Sequence, residues 1–105
     1  MDELEKENLP YDPSLDTKEK IRLICEGMCS LLQYKNMNYG DAALNPLKIF
    51  SKLDAQEQIP TRLDDKISRI MHSKELRKND VADVIGYCVL LCASKGWLKF
   101  DEFKD

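Results

Sequence analysis

Two groups of residues in this chain have the types and spacing that phosphate chemistry needs. Asp80 and Asp83 stand three apart in NDVADVIGYCVLLCA, residues 79–93. Arg62, Lys66 and Arg69 stand at i, i+4 and i+7, with Asp65 set among them. On a helix, residues at i and i+3 share a face. Two carboxylates on one face suit a hard divalent cation such as Mg²⁺. With that metal they can orient a hydrolytic water, which makes Asp83, Asp80 and Asp65 candidate catalytic residues and Asp80 with Asp83 a candidate metal pair. The cationic stripe is the complement, since Arg grips phosphate bidentately and Lys meets it as a point charge. Lys35, Asn36 and Tyr39 add a further cation, an amide for a base edge or ribose, and a ring that can stack.

Each group also has a plainer reading. Acids in a first helical turn cap free N–H groups and favour the helix dipole, and Asn79 or Asp80 is placed to cap the last helix. A stripe of alternating charge is often a solvated face held by pairs such as Asp65–Arg69. His72, the only histidine, has no Ser or Cys partner in a nucleophile pattern and reads as a solvated or helix-end residue.

Three long helices must position these groups. Asp16 reads as an N-cap with Glu19 three residues on. Ile21, Ile24, Cys25, Met28, Leu31 and Leu32 then give an amphipathic helix ending near Tyr34–Asn36. Tyr39-Gly40-Asp41 is turn chemistry. Asn45-Pro46 opens a short helix over PLKIFSKL, residues 46–53. DAQEQIP reads as a loop, and Thr61 as the cap of the next helix, with Asp64 at the capping-box position. HSKELRKN links to the last helix, which is apolar nearly all round and ends at Lys95-Gly96. Trp97, Leu98, Phe100 and Phe103 of the tail are placed to cover an edge of the core. The fold class is therefore all-α, a small bundle of three main helices plus a short one. A second copy would complete it by burying the last helix. Residues 1–15, acidic and holding two prolines, read as an extended arm, and residues 16–105 as a single domain.

The bulk numbers narrow the function. At 105 residues the chain has room for one core. A net charge of −3 argues against broad binding to nucleic acid or an anionic membrane. No run approaches 18 apolar residues, and the acidic start lacks a signal-peptide core, so the expected place is the cytoplasm. There the four cysteines, Cys25, Cys29, Cys88 and Cys92, stay reduced. Their i, i+4 pairs on apolar helix faces read as core filler rather than as a zinc site.

The blocks KNMNYGDA (35–42), NPLKIF (45–50), RLDDKISRI (62–70) and NDVADVIGYCVLL (79–91), in this order, resemble the nucleotide modification associated domain family common in phages and prophages. The resemblance covers about residues 18–94. That family is similar to the all-α nucleoside triphosphate pyrophosphohydrolases of MazG and dimeric dUTPase type. It implies associating helical subunits that bind nucleotides with Mg²⁺. Lys35, Asn36, Tyr39, Gly40, Asp41, Arg62, Asp64, Asp65, Lys66, Arg69, Asp80 and Asp83 fall on its motif positions. Of these, Lys35, Asn36, Tyr39, Asp41, Arg62, Lys66 and Arg69 are the implied ligand-binding set. Asp80-x-x-Asp83 is similar to the E-x-x-D that ligates metal in those enzymes. Their second acidic pair, E-x-x-E on an earlier helix, has no counterpart here, because Glu19 and Glu26 are seven apart.

Three functions follow as expectations. The first is a Mg²⁺-dependent pyrophosphohydrolase that cleaves an α–β phosphoanhydride. The second is a phage- or prophage-type protein that sequesters a nucleotide without turnover. The third is an interaction protein whose acids are caps. A homodimer or higher homo-oligomer is expected, with no membrane and no nucleic-acid partner.

Overall fold

The computed structural model describes residues 14–46, 48 and 53–104. Among the described residues are three α-helices and no strand, so the chain is all-α. They are α1 (Thr17–Asn38), α2 (Ala55–His72) and α3 (Lys78–Lys95), followed by a 3₁₀ turn at Asp101–Phe103. Most of the expected short helix over 46–53 and of the arm over 1–15 lies outside the described residues.

Helix α1 begins as its sequence dictates. The Asp16 carboxylate accepts from the Glu19 backbone N–H at 2.8 Å, satisfying one of the free donors of the first turn. The helix runs two residues past the expected end at Asn36, closing with Tyr39 N–H donating to Lys35 O at 2.9 Å. It stops where Gly40 and Asp41 both take the left-handed region, each at φ 61. Gly enters that region freely and Asp more readily than most residues. Asn45 then donates its side-chain N–H to the Asp41 carboxylate.

Helix α2 corrects the sequence reading. It starts at Ala55, with Asp54 as the cap accepting from Glu57 N–H at 3.1 Å. Thr61 lies inside the helix, its hydroxyl donating to Glu57 O at 3.1 Å. Pro60 also sits inside and forfeits one backbone bond. The helix persists through it because its first turns carry the core. Ala55 and Ile59 are the buried apolar residues among those described, and tertiary burial outweighs one lost bond. Asp54→Ala should therefore cost about 1 kcal/mol of stability, whereas Thr61→Val should change it by less than about 0.5 kcal/mol. Urea denaturation of both variants checks this, and equal effects would count against the observed start.

Helix α3 opens at Lys78 behind Arg77, which makes no side-chain cap bond. The capping reading of Asn79 and Asp80 is thus not met. Its end is as expected, with Gly96 left-handed at φ 74 and Lys95 in the last turn, where a cation meets the negative end of the helix dipole.

The two later helices form an antiparallel hairpin. Lys66 meets Asp83 at 3.1 Å. At the far end Gln56 donates to Ser94 O at 3.1 Å, and Lys95 donates to the Gln56 side-chain oxygen at 2.9 Å. Helix α1 joins them more sparsely and, among the described elements, only through α3. The helices approach closely at Gly86, where an added Cβ would stand 3.0 Å from Leu32 Cδ2 and 4.0 Å from Met28 Cε. A glycine there lets the helices close.

Two further expectations fail. Cys25, Cys29 and Cys88 are exposed and Cys92 is half-buried, so they are not core filler, though all four are free thiols. Trp97, Leu98, Phe100 and Phe103 are exposed, so they do not close an edge of the core. Helix α1 has no buried residue, and α3 buries only Asp80 and Gly86. Among the described residues α2 covers one side of α3, and α1 packs on α3 alone.

Candidate functional site

A cleft of about 610 Å³ lies between α1 and the α2–α3 hairpin. Its floor is apolar, built from Met28 and Leu32 of α1 and Gly86 and Leu90 of α3. Polar groups stand among these. Lys35 and Asn36 come from the last turn of α1 and Tyr39 from its C-cap. Arg62 and Lys66 come from adjacent turns of α2, and Asp83 and Tyr87 from adjacent turns of α3. Ala42 and Ala43, after the left-handed turn, close one side with small side chains.

The positions follow from helix geometry. Arg62 and Lys66 are four apart and share a face, as do Asp83 and Tyr87. The hairpin brings the two pairs together through the Lys66–Asp83 ion pair, whose side chains are both largely buried. That pair neutralises one cation and the only acid among the described residues of the cleft. Lys35 and Arg62 remain as cations with no ion-pair partner among the described residues. The cleft is thus cationic, with two phenol rings and one amide. Such a mixture of apolar wall and few convergent polar groups is what a small-molecule site requires.

Of the residues singled out in the sequence, Lys35, Asn36, Tyr39, Arg62, Lys66 and Asp83 line this cleft. The others do not. Asp65 and Arg69 are exposed on α2 outside it, as is Asp64. Asp41 is spent on the turn, holding Asn45. His72 ends α2, with Nδ1–H donating to Ser68 O at 2.7 Å, the helix-end role expected of it.

Asp80 departs furthest from expectation. It is 1 % exposed, neither carboxylate oxygen has a hydrogen-bond partner among the described residues, and it does not line the cleft. The two acids do not converge: Asp83 faces the cleft against Lys66, and Asp80 is sealed away. Among the described residues no group of three His, Cys, Asp or Glu side chains is placed to hold a metal ion. Mg²⁺ implied by the resemblance would need Asp80 and Asp83 open to one point, with Asp65 near. The residues present do not fit a protein-held ion.

Tyr87, Gly86 and the apolar floor were missed from sequence. Tyr87 carried a usable signal, as a phenol four residues after Asp83 in an otherwise apolar run. The floor carried none, because apolar residues on a helix read as core.

No helix of the described residues is long and apolar enough to cross a membrane. No protein-family model matches the chain, and neither a curated protein nor a solved structure does so.

Proposed function

We propose that this chain is a nucleotide-binding protein that holds its ligand without cleaving it and works as a homo-oligomer. One observation carries the reading: Lys35, Arg62, Asn36 and Tyr39 converge with Tyr87 on one apolar-floored cleft. In this reading Lys35 and Arg62 take the phosphates, Arg bidentately. Tyr39 or Tyr87 stacks on the base, and Asn36 pairs with a base or ribose edge. Lys66, held by Asp83, adds positive charge at a fixed place. The resemblance to phage and prophage nucleotide proteins points the same way.

Binding is favoured over hydrolysis by the placement of the acids. Only Asp83 of the three proposed catalytic carboxylates reaches the cleft, and Lys66 occupies it. Among the described residues of the cleft, no acid is left to position a general base or a metal-activated water.

The test is a panel of nucleoside di- and triphosphates and cyclic nucleotides, with and without Mg²⁺. Melting temperature and chromatography of the products are read together. At least one nucleotide should raise the melting temperature, because a ligand bound only to the native state stabilises it by about 2.7 kcal/mol at a hundredfold excess over Kd. It should be recovered intact, and the shift should not require Mg²⁺. Conversion to a monophosphate and pyrophosphate would replace binding by hydrolysis. No shift with any member would return the charged residues to a solvated face.

A further inference from the structure

Asp83 is a group of the cleft whose role is only half explained. Lys66 meets its Oδ2 at 3.1 Å. Its Oδ1 accepts no hydrogen bond among the described residues and, unlike the Asp80 oxygens, is not sealed from solvent. A carboxylate offers about four acceptor sites and no donor, and holding Lys66 uses one of them. An acid placed near phosphates is repelled by them unless its charge is neutralised. Lys66 supplies that neutralisation and leaves the other sites free. Those sites belong to a residue that lines the cleft, so donors of the ligand are what they can meet.

The register of the hairpin fixes which donors come within reach. Lys66 meets Asp83; ten residues back on α2, Gln56 meets Ser94, eleven residues on along α3. The two helices therefore run antiparallel and in step. Four residues back from Lys66 is Arg62, and four on from Asp83 is Tyr87. Both line the cleft. The step sets them level with each other, about 6 Å along the axis from the Lys66–Asp83 pair. A phosphate held by Arg62 is thus about one helical turn from Asp83. In a nucleotide the polar groups that follow the phosphate are the ribose hydroxyls, and the base lies beyond them. Each hydroxyl is a donor, and a carboxylate accepts from it.

We infer, resting on the nucleotide reading above, that Asp83 holds the ribose and that the ligand is a ribonucleotide with free 2′ and 3′ hydroxyls. Asp83 is then the residue that sets sugar specificity. The two hydroxyls donate to the acceptor sites that Lys66 leaves open. A 2′-deoxynucleotide leaves one of those sites unmet in a largely buried place, so it binds more weakly. With the sugar held from α3, Asn36 and Tyr39 at the end of α1 are left for the base.

Calorimetry with matched ribo- and 2′-deoxyribonucleotides, across the bases and phosphate numbers and in EDTA, tests it. For whichever base binds, the wild type should hold the ribonucleotide about tenfold more tightly or better. Asp83→Ala should bring the two forms within about twofold of each other, with helical circular dichroism unchanged. A purely structural role for Asp83 would weaken both forms equally and leave their ratio alone. Equal binding of the two forms by the wild type would overturn the inference and leave the nucleotide reading standing. A ribose preference that survives Asp83→Ala would give the sugar to another residue and overturn it as well. Binding of no nucleotide at all would remove the reading beneath it. If Asp83→Ala does not fold, Asp83→Asn keeps the shape and makes the acceptor neutral. It should cut the preference by about threefold or more, and an unchanged preference would count against Asp83.

Discussion

Replacing Arg62 with Glu should weaken binding of the nucleotide that the panel identifies by at least about 100-fold. The melting temperature of the free protein should stay within about 2 °C of wild type. The first figure is the loss of a charge-assisted, bidentate contact, about 1.5–3 kcal/mol, with repulsion of the phosphates added. The second follows because Arg62 is exposed and makes no ion pair among the described residues. Arg69→Glu is the control. It changes the same charge by the same amount on the same helix, yet Arg69 does not line the cleft. It lies about 10 Å further along the axis, near a Debye length in ordinary salt. It should lower affinity less than about threefold. Titration calorimetry on both variants measures the contrast. Equal losses would mean that the net positive stripe and not the cleft binds the ligand.

Asp80→Asn should stabilise the free protein by about 1–2 kcal/mol, seen as a rise of several degrees in melting temperature. The carboxyl group is 1 % exposed, and neither oxygen finds a donor among the described residues. A buried polar group without a hydrogen bond is costly, a carboxylate more so than an amide of the same shape. Asn keeps that shape and avoids a cavity. The favourable position of an acid in the first turn returns only about 0.3–1 kcal/mol to Asp, so the desolvation effect decides the sign. Nucleotide affinity should be unchanged, because Asp80 does not reach the cleft. A fall in stability would show that Asp80 has a partner, and a fall that appears only with Mg²⁺ present would identify that partner as the ion.

Caps and turns were legible in sequence because their causes are local. Asp16 caps α1 through a donor three residues away, and Gly96 ends α3 by its own freedom at positive φ. Thr61 was misread because Pro60 before it looked like a boundary. What overrides that boundary is the burial of Ala55 and Ile59, which no local signal records. The cysteines and the aromatic tail were misread for the same reason: apolar type says that a residue can be buried, not that a neighbour is there to bury it.

The sequence by itself determined that the chain is helical, where α1 starts and α3 ends, and which residue types a phosphate-binding site would use. The tertiary structure decided which of them meet. Asp80 and Asp83 share a helix face only to within about 60°, the rotation that three residues leave short of a full turn. That rotation seals one inside and turns the other toward Lys66 and the cleft. Arg62 and Arg69 share a stripe, but two turns of rise separate them, and the cleft reaches only the first. Spacing along one helix fixes relative direction. Only the neighbouring helices fix what lies in that direction, and their placement depends on contacts far apart in the chain.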